Sequence, residues 1–127
     1  MGRKNIIYTY NMLDGVDLDT SVDSTATITT TVDHMSINIV WSGSTGTNTG
    51  AIVVQGTNKD PDAADFVAAD YFDLTLSGGL INLTGASGEH LIVFDKIPFR
   101  AIRLVYTNST HAAGTVSAIM SAKTIGA

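Results

Sequence analysis

The chain has no cysteine, which removes disulfides, thiolate nucleophiles and cysteine-ligated zinc or iron–sulfur centres at once. It also has little of what helices and active sites draw on: one Glu (Glu89), one Gln (Gln55), one Trp (Trp41), two prolines and three histidines in 127 residues. Against that scarcity stand 17 Thr, 10 Ser and 12 Gly, a balance that favours strands and turns and excludes an all-α domain. No apolar run approaches the roughly 18 residues that a membrane-spanning helix needs. The opening Met1-Gly2-Arg3-Lys4-Asn5-Ile6 leads into a segment broken by Thr9, Asn11 and Asp14, too polar for a signal-peptide core. The expectation is a soluble chain with no membrane association. A length of 127 residues suits one domain, 1–127, and is too short for two ordinary ones.

Basic charge is scarce where acids are dense. All 12 acids fall between Asn5 and Asp95, with Lys59 as the one base among them, and the other six bases lie outside that span. The net charge is −5. Such a surface repels phosphate backbones, so nucleic acid is not an expected partner.

What is present is a period of two. In 34–42, Met35, Ile37, Ile39 and Trp41 alternate with Ser36, Asn38 and Val40, which reads as a half-buried strand. A more fully buried strand is expected through Ile52, Val53 and Val54, and another through Leu91, Ile92, Val93 and Phe94. Ile102, Leu104 and Tyr106 point inward along a further strand, as do Val116, Ala118, Met120 and Ala122 along the last. The intervening residues 108–114 read as a hairpin loop that makes those two strands antiparallel neighbours. Phe72 and Leu74 with Leu76 suggest a strand, and Ala26 to Val32 a Thr-rich one. Ile6, Tyr8 and Tyr10 form one side of a first strand, with a loop or edge strand over Asp14 to Asp19. Only Asp60 to Asp70 has helical credentials, a turn or two, because Asp60 suits a cap and Pro61 a first helical position. About eight short strands separated by Gly, Ser, Asn and Thr turns indicate an all-β, antiparallel β-sandwich of jelly-roll type. Trp41, Ile39, Val54, Phe94, Leu104 and Met120 are its expected core.

No constellation for catalysis emerges. His34, His90 and His111 are scattered, without paired spacing, and read as edge or surface residues. The acidic segments Asp14, Asp17, Asp19, Asp23 and Asn58, Asp60, Asp62, Asp65 lack the order of a calcium loop and read as turn formers. The loop 42–50 is apolar-free and expected to be exposed. The reading is therefore a non-enzyme with no catalytic residues, no metal site and no cofactor.

The run Ile52-Val53-Val54-Gln55-Gly56-Thr57-Asn58-Lys59-Asp60, followed by Phe99-Arg100-Ala101-Ile102-Arg103-Leu104-Val105-Tyr106-Thr107 and a Gly-containing loop, resembles the strand pattern of discoidin-like jelly rolls. From about His34 to Lys123, including Asp73-Leu74-Thr75-Leu76 and Gly114-Thr115-Val116, the chain is similar to small virion structural proteins of tailed bacteriophages. The resemblance implies a capsid decoration protein on the outer surface of the head, made in the host cytoplasm and carried on the virion. Its implied partners are the major capsid protein or another virion protein, with assembly as a homo-oligomer. The alternative is a glycan-binding or tail and fibre accessory module acting through loops 42–50 and 108–114. Within this frame residues 1–12 read as a docking arm or an edge strand. Arg3 and Lys4 precede the strip Ile6, Tyr8 and Tyr10, so that cations would steer and aromatics anchor a docking contact.

Overall fold

The computed structural model describes residues 5–24, 27–29, 34–45, 47–74, 81–94 and 100–125. Along these residues run ten strands and one 3-10 turn. They are β1 (Asn5–Asp17), β2 (Val22–Asp23), β3 (Thr27–Ile28), β4 (His34–Ser42), β5 (Thr49–Thr57), η1 (Ala68–Asp70), β6 (Phe72–Asp73), β7 (Ile81–Thr84), β8 (Gly88–Phe94), β9 (Ala101–Asn108) and β10 (Thr115–Ile125). The first sheet has the order β1-β10-β4-β8 and the second β2-β9-β5-β6, with β3 also on β9 and β7 also on β5. Every pairing is antiparallel. Joining β2 to β3 and β6 to β7 leaves four strands in each sheet, the eight of a jelly-roll sandwich.

The core follows from the alternation. Met35, Ile37, Ile39 and Trp41 of β4 are buried beside Val116, Ala118, Met120 and Ala122 of β10, with Ile37 opposite Met120 and Ile39 opposite Ala118. In the second sheet Ile52 of β5 lies opposite Tyr106 of β9, and Val54 opposite Leu104, all fully buried. One hydrophobic cluster joins both inner faces. The largest of its fully buried side chains, Tyr106, donates its hydroxyl to the Leu18 carbonyl at 2.7 Å, so the buried phenol is satisfied. Gly50 is needed beneath it, since a β-carbon there would stand 2.6 Å from the Tyr106 hydroxyl oxygen. Trp41 lies against the bare backbone of Gly88, and among the described residues its Nε1 meets no acceptor.

Two expectations need correction. β9 and β10 are not hairpin neighbours: β9 lies between β5 and β2 in one sheet, β10 between β1 and β4 in the other, and residues 108–114 cross between sheets. An inward period of two looks the same whether the next strand lies alongside or across the core. The 91–94 segment is not a buried strand. Ile92 is buried and Phe94 half-buried, but Leu91 and Val93 are exposed, because β8 is an edge strand with only one face on the core. Phe94 accordingly packs at the border of the core rather than inside it.

The 60–70 segment keeps to the turn or two expected of it, with successive turns and a single 3-10 turn at its end. The Asp60 carboxylate accepts from the Asp62 N–H at 3.0 Å, and Ala63 and Phe66 bond back three residues to Asp60 and Ala63. These turn bonds and the extended Val67 (φ −129°) deflect the chain before a helical ladder starts. The 14–17 stretch, expected as a loop or edge strand, is the far end of the edge strand β1, reached past two register shifts and a left-handed Gly15 (φ 58°). Of the residues expected in the Thr-rich 26–32 strand, the pair Thr27–Ile28 is placed on β9 as β3, and residues 26 and 30–32 lie outside the described ones.

Replacing Leu104 with Ala should cost about 2–5 kcal/mol in chemical denaturation, the range for emptying a closed core site. Burial, with the Asp19 carboxylate adding to it, raises the Tyr106 phenol above its ordinary value of 10.0. The folded state thus holds this proton more tightly than the unfolded state, and the stability it confers is lost as pH rises through about 10 and beyond. In a pH series of thermal melts, Tyr106→Phe should lower stability at neutral pH and flatten the alkaline decline.

Candidate docking surface

β1 is an edge strand whose one ladder partner among the described residues is β10. Tyr8 stands opposite Ala122 and Tyr10 opposite Met120, which places both rings on the core-facing side. They lie at its open flank, however, and remain 42% and 37% exposed. Their centroids are 6.4 Å apart and the rings are inclined by 29°, a stacked pair presented at the margin of the sandwich. Ile6 belongs to β1 opposite Thr124, with its side chain outside the described residues, and Arg3 and Lys4 lie outside them altogether. The structure thus brings together the two tyrosines of the expected docking strip. The far half of this edge is guarded: the shifts between Asn11 and Leu13 and between Leu13 and Val16 break its regularity, and Asp14 and Asp17 charge it.

The histidines divide. His34 and His90 are exposed on β4 and β8, whereas His111, expected at the surface, is buried. The Asn108 side chain grips the loop by accepting from the His111 N–H at 2.9 Å and donating to the His111 carbonyl at 3.0 Å, which turns the imidazole inward. There Nε2 meets the Leu83 carbonyl at 2.8 Å and Nδ1 the Ser44 hydroxyl at 2.5 Å. A carbonyl only accepts, so in the neutral ring the proton sits on Nε2 and Nδ1 accepts from Ser44. Sequence reasoning missed this pair because Ser44 sits in a loop without apolar residues. That loop is nevertheless anchored, with Ser44 buried and its N–H bonded to the Ala86 carbonyl. Thr49 and Thr110 add further bonds between loops 42–50 and 108–114. The two loops once considered for glycan therefore spend polar groups on each other. The Ser44–His111 contact joins the two residue types of a hydrolytic dyad, with both side chains buried and the second ring nitrogen engaged by a carbonyl. It ties loop 42–50 to loop 108–114.

The outward side of the second sheet is closed by a polar relay. Asp23 pairs with Arg103 at 3.5 Å, Arg103 Nε donates to Gln55, and Gln55 donates to Asp73, both at 2.8 Å. The guanidinium also lies 4.1 Å from the centroid of the Tyr71 ring, which in turn meets Phe66 edge-on. Nearby, the Asp70 carboxylate takes hydrogen bonds from Lys59 and from the Val67 N–H, which together hold its proton affinity below the usual carboxylate range. The acids are thus spread along turns and ion pairs. Among the described residues no three His, Asp or Glu side chains converge as metal ligands would.

The first sheet presents a different outward side. Val40, Leu91, Val93 and Ile119 are exposed on it, interspersed with Ser36, Asn38, Ser117 and Ser121. β10, β4 and β8 together carry one acid, Glu89, and one lysine, Lys123, and no arginine. This is a neutral, partly apolar face on an acidic protein.

Ser44→Ala should strand the buried Nδ1 of His111 without a donor and cost about 1–3 kcal/mol in urea denaturation. The exposed faces should be unaffected, as read by the unchanged reactivity of Tyr8 and Tyr10 toward a tyrosine-modifying reagent.

No protein-family model matches the chain, and no curated protein matches it by sequence. Its fold is shared with solved structures. Over 95% of this chain and 96% of the other, it superposes on the SPBc2 prophage-derived protein YomS with a TM-score of 0.61 at 8% identity. A weaker likeness, TM-score 0.48 at 16% identity, covers 97% of this chain and 34% of a chain from infectious bursal disease virus strain Gx. What the prophage comparison establishes is the fold, shared over 95% of this chain.

Proposed function

We propose that this chain is a non-enzymatic structural protein of a phage virion, and more specifically a decoration protein that docks on the outer surface of the head through its β1 edge. The observation that carries the reading is the stacked, partly exposed Tyr8–Tyr10 pair on an edge strand. Tyrosine buries a large rigid surface at small entropic cost, which is why it recurs among the residues that dominate interfaces. Arg3 and Lys4 precede this strand in the chain and would steer it toward an acidic patch on the major capsid protein or another virion protein. The prophage origin of a protein with the same fold supports the same assignment. The Ser and His side chains that could have suggested hydrolysis are committed to holding loops together.

A map of the intact particle should show the sandwich on the outer head surface, and density confined to the tail would overturn the head assignment. In a particle-binding assay, Tyr8→Ser with Tyr10→Ser should lower affinity at least tenfold, from a loss of about 1–2 kcal/mol for each ring. Removing residues 1–4 should weaken binding at low salt, and the difference from the full chain should shrink as salt screens the lost cations.

A further inference from the structure

Every sheet has edges, and each edge strand offers a row of unpaired backbone groups that a folded protein normally blunts. Here the edges of the second sheet and the far half of β1 are blunted. In the second sheet the outer pieces β2, β3, β6 and β7 are two to four residues long. In the first, β1 is broken by two register shifts and charged by Asp14 and Asp17. β8 carries one charge, Glu89, and no break. It pairs with β4 through seven consecutive residues, Trp41 with Gly88 through to Met35 with Phe94, without a register shift. It contains no proline and no lysine, and its outward side chains Leu91 and Val93 are 59% and 63% exposed. β4 is its one ladder partner among the described residues.

We propose that β8 pairs antiparallel with β8 of a second copy of this chain, about a two-fold axis at Leu91, joining two first sheets into one eight-stranded sheet. Leu91 is the midpoint of the seven residues, so this register uses the whole strand. It sets Leu91 against Leu91, Glu89 against Val93, His90 against Ile92 and Gly88 against Phe94. No like charges stand opposite each other, and a register centred two residues earlier would face Glu89 with itself. A two-fold axis normal to the sheet keeps outward side chains on one side. The exposed Leu91 and Val93 of each copy, with Val40 behind them, then form one apolar strip across the junction. Charge selects a second copy for the same reason. The protein carries −5 overall, and copies approaching by acidic flanks repel. β10, β4 and β8 carry a single acid, Glu89, which this register sets against Val93 and not against another acid, so two copies can meet here with little repulsion. The contact leaves the β1 edge, at the far side of the same sheet, free for another partner.

Sedimentation velocity of the full chain at about 100 μM, where a complex of micromolar Kd is nearly all associated, should give twice the monomer mass. The double variant Leu91→Lys with Val93→Lys alters only exposed positions and should sediment as a folded monomer, with its thermal melt confirming the fold. Because the chain lacks cysteine, Leu91→Cys introduces a single thiol. Paired Cα atoms across an antiparallel ladder are about 4.5–5.5 Å apart, within disulfide range, so mild oxidation should convert this variant to a covalent dimer. Tyr8→Cys, on the opposite edge, should stay largely uncrosslinked under the same conditions. A monomeric full chain at that concentration, a dimer that survives both lysines, or equal crosslinking at positions 8 and 91 would each overturn the proposal.

Discussion

Two pairs of central strands, β4 with β10 and β5 with β9, bury their alternating side chains against each other, and the rest of the molecule is arranged around that contact. The contact is non-directional and roughly proportional to the apolar area removed from water, so it fixes which face of each strand turns inward. It does not fix which strand lies beside which. That is left to the connections, and those between β4 and β5 and between β9 and β10 both cross from one sheet to the other. Crossing loops bring polar groups to the rim of a dry core, where an unpaired one is costly. The Ser44–His111–Leu83 bonds, the Asn108 grip on the His111 backbone and the Tyr106–Leu18 bond answer that cost at one end of the sandwich. Gly114 is part of the same closure. Its φ of 101° is left-handed, and a β-carbon there would stand 2.7 Å from the Ser42 carbonyl oxygen.

The two outward faces have been treated differently, and the difference gives the protein its sidedness. On the second sheet, Asp23, Arg103, Gln55 and Asp73 form a connected relay, and from the 58–71 connection Tyr71 lies against Arg103 while Phe66 meets Tyr71 edge-on. Most of the described acids lie on that connection, on β2 and β6, or on and just after the far half of β1. The first sheet is left with hydroxyls, an amide and scattered aliphatics, and ends in two unlike edges. One presents a tyrosine pair and then becomes irregular; the other is straight and apolar. On this side of a small acidic domain the exposed aliphatics Val40, Leu91, Val93 and Ile119 are spread over the outward face of the sheet.

Much of this was legible in the residues. The alternation in 34–42, 101–107 and 115–122 identified inward sets that are buried as read, and five of six expected core residues sit in the cluster. The alternation failed at 91–94, where four consecutive apolar residues look like a strand buried on both faces although the strand lies at an edge. It failed also at His111, since burial of a loop histidine depends on partners 28 and 67 residues distant that share no local pattern with it. The tyrosine pair was visible as a two-residue spacing. Its exposure was not, because both rings are on the core-facing side and stay accessible only where the opposite sheet ends.

The sequence by itself determined an all-β chain without disulfides, with inward stripes of period two and an acidic surface, because composition, strand propensity and side-chain alternation are local properties. Only the tertiary structure decided strand neighbours, the crossing of 108–114 between sheets, the burial of Ser44 and His111, and the edge position of β8. The physical reason is that an alternating strand is equally satisfied beside or across from its neighbour in sequence. The choice is made by long-range packing and by the few hydrogen bonds that loops from distant parts of the chain form with each other.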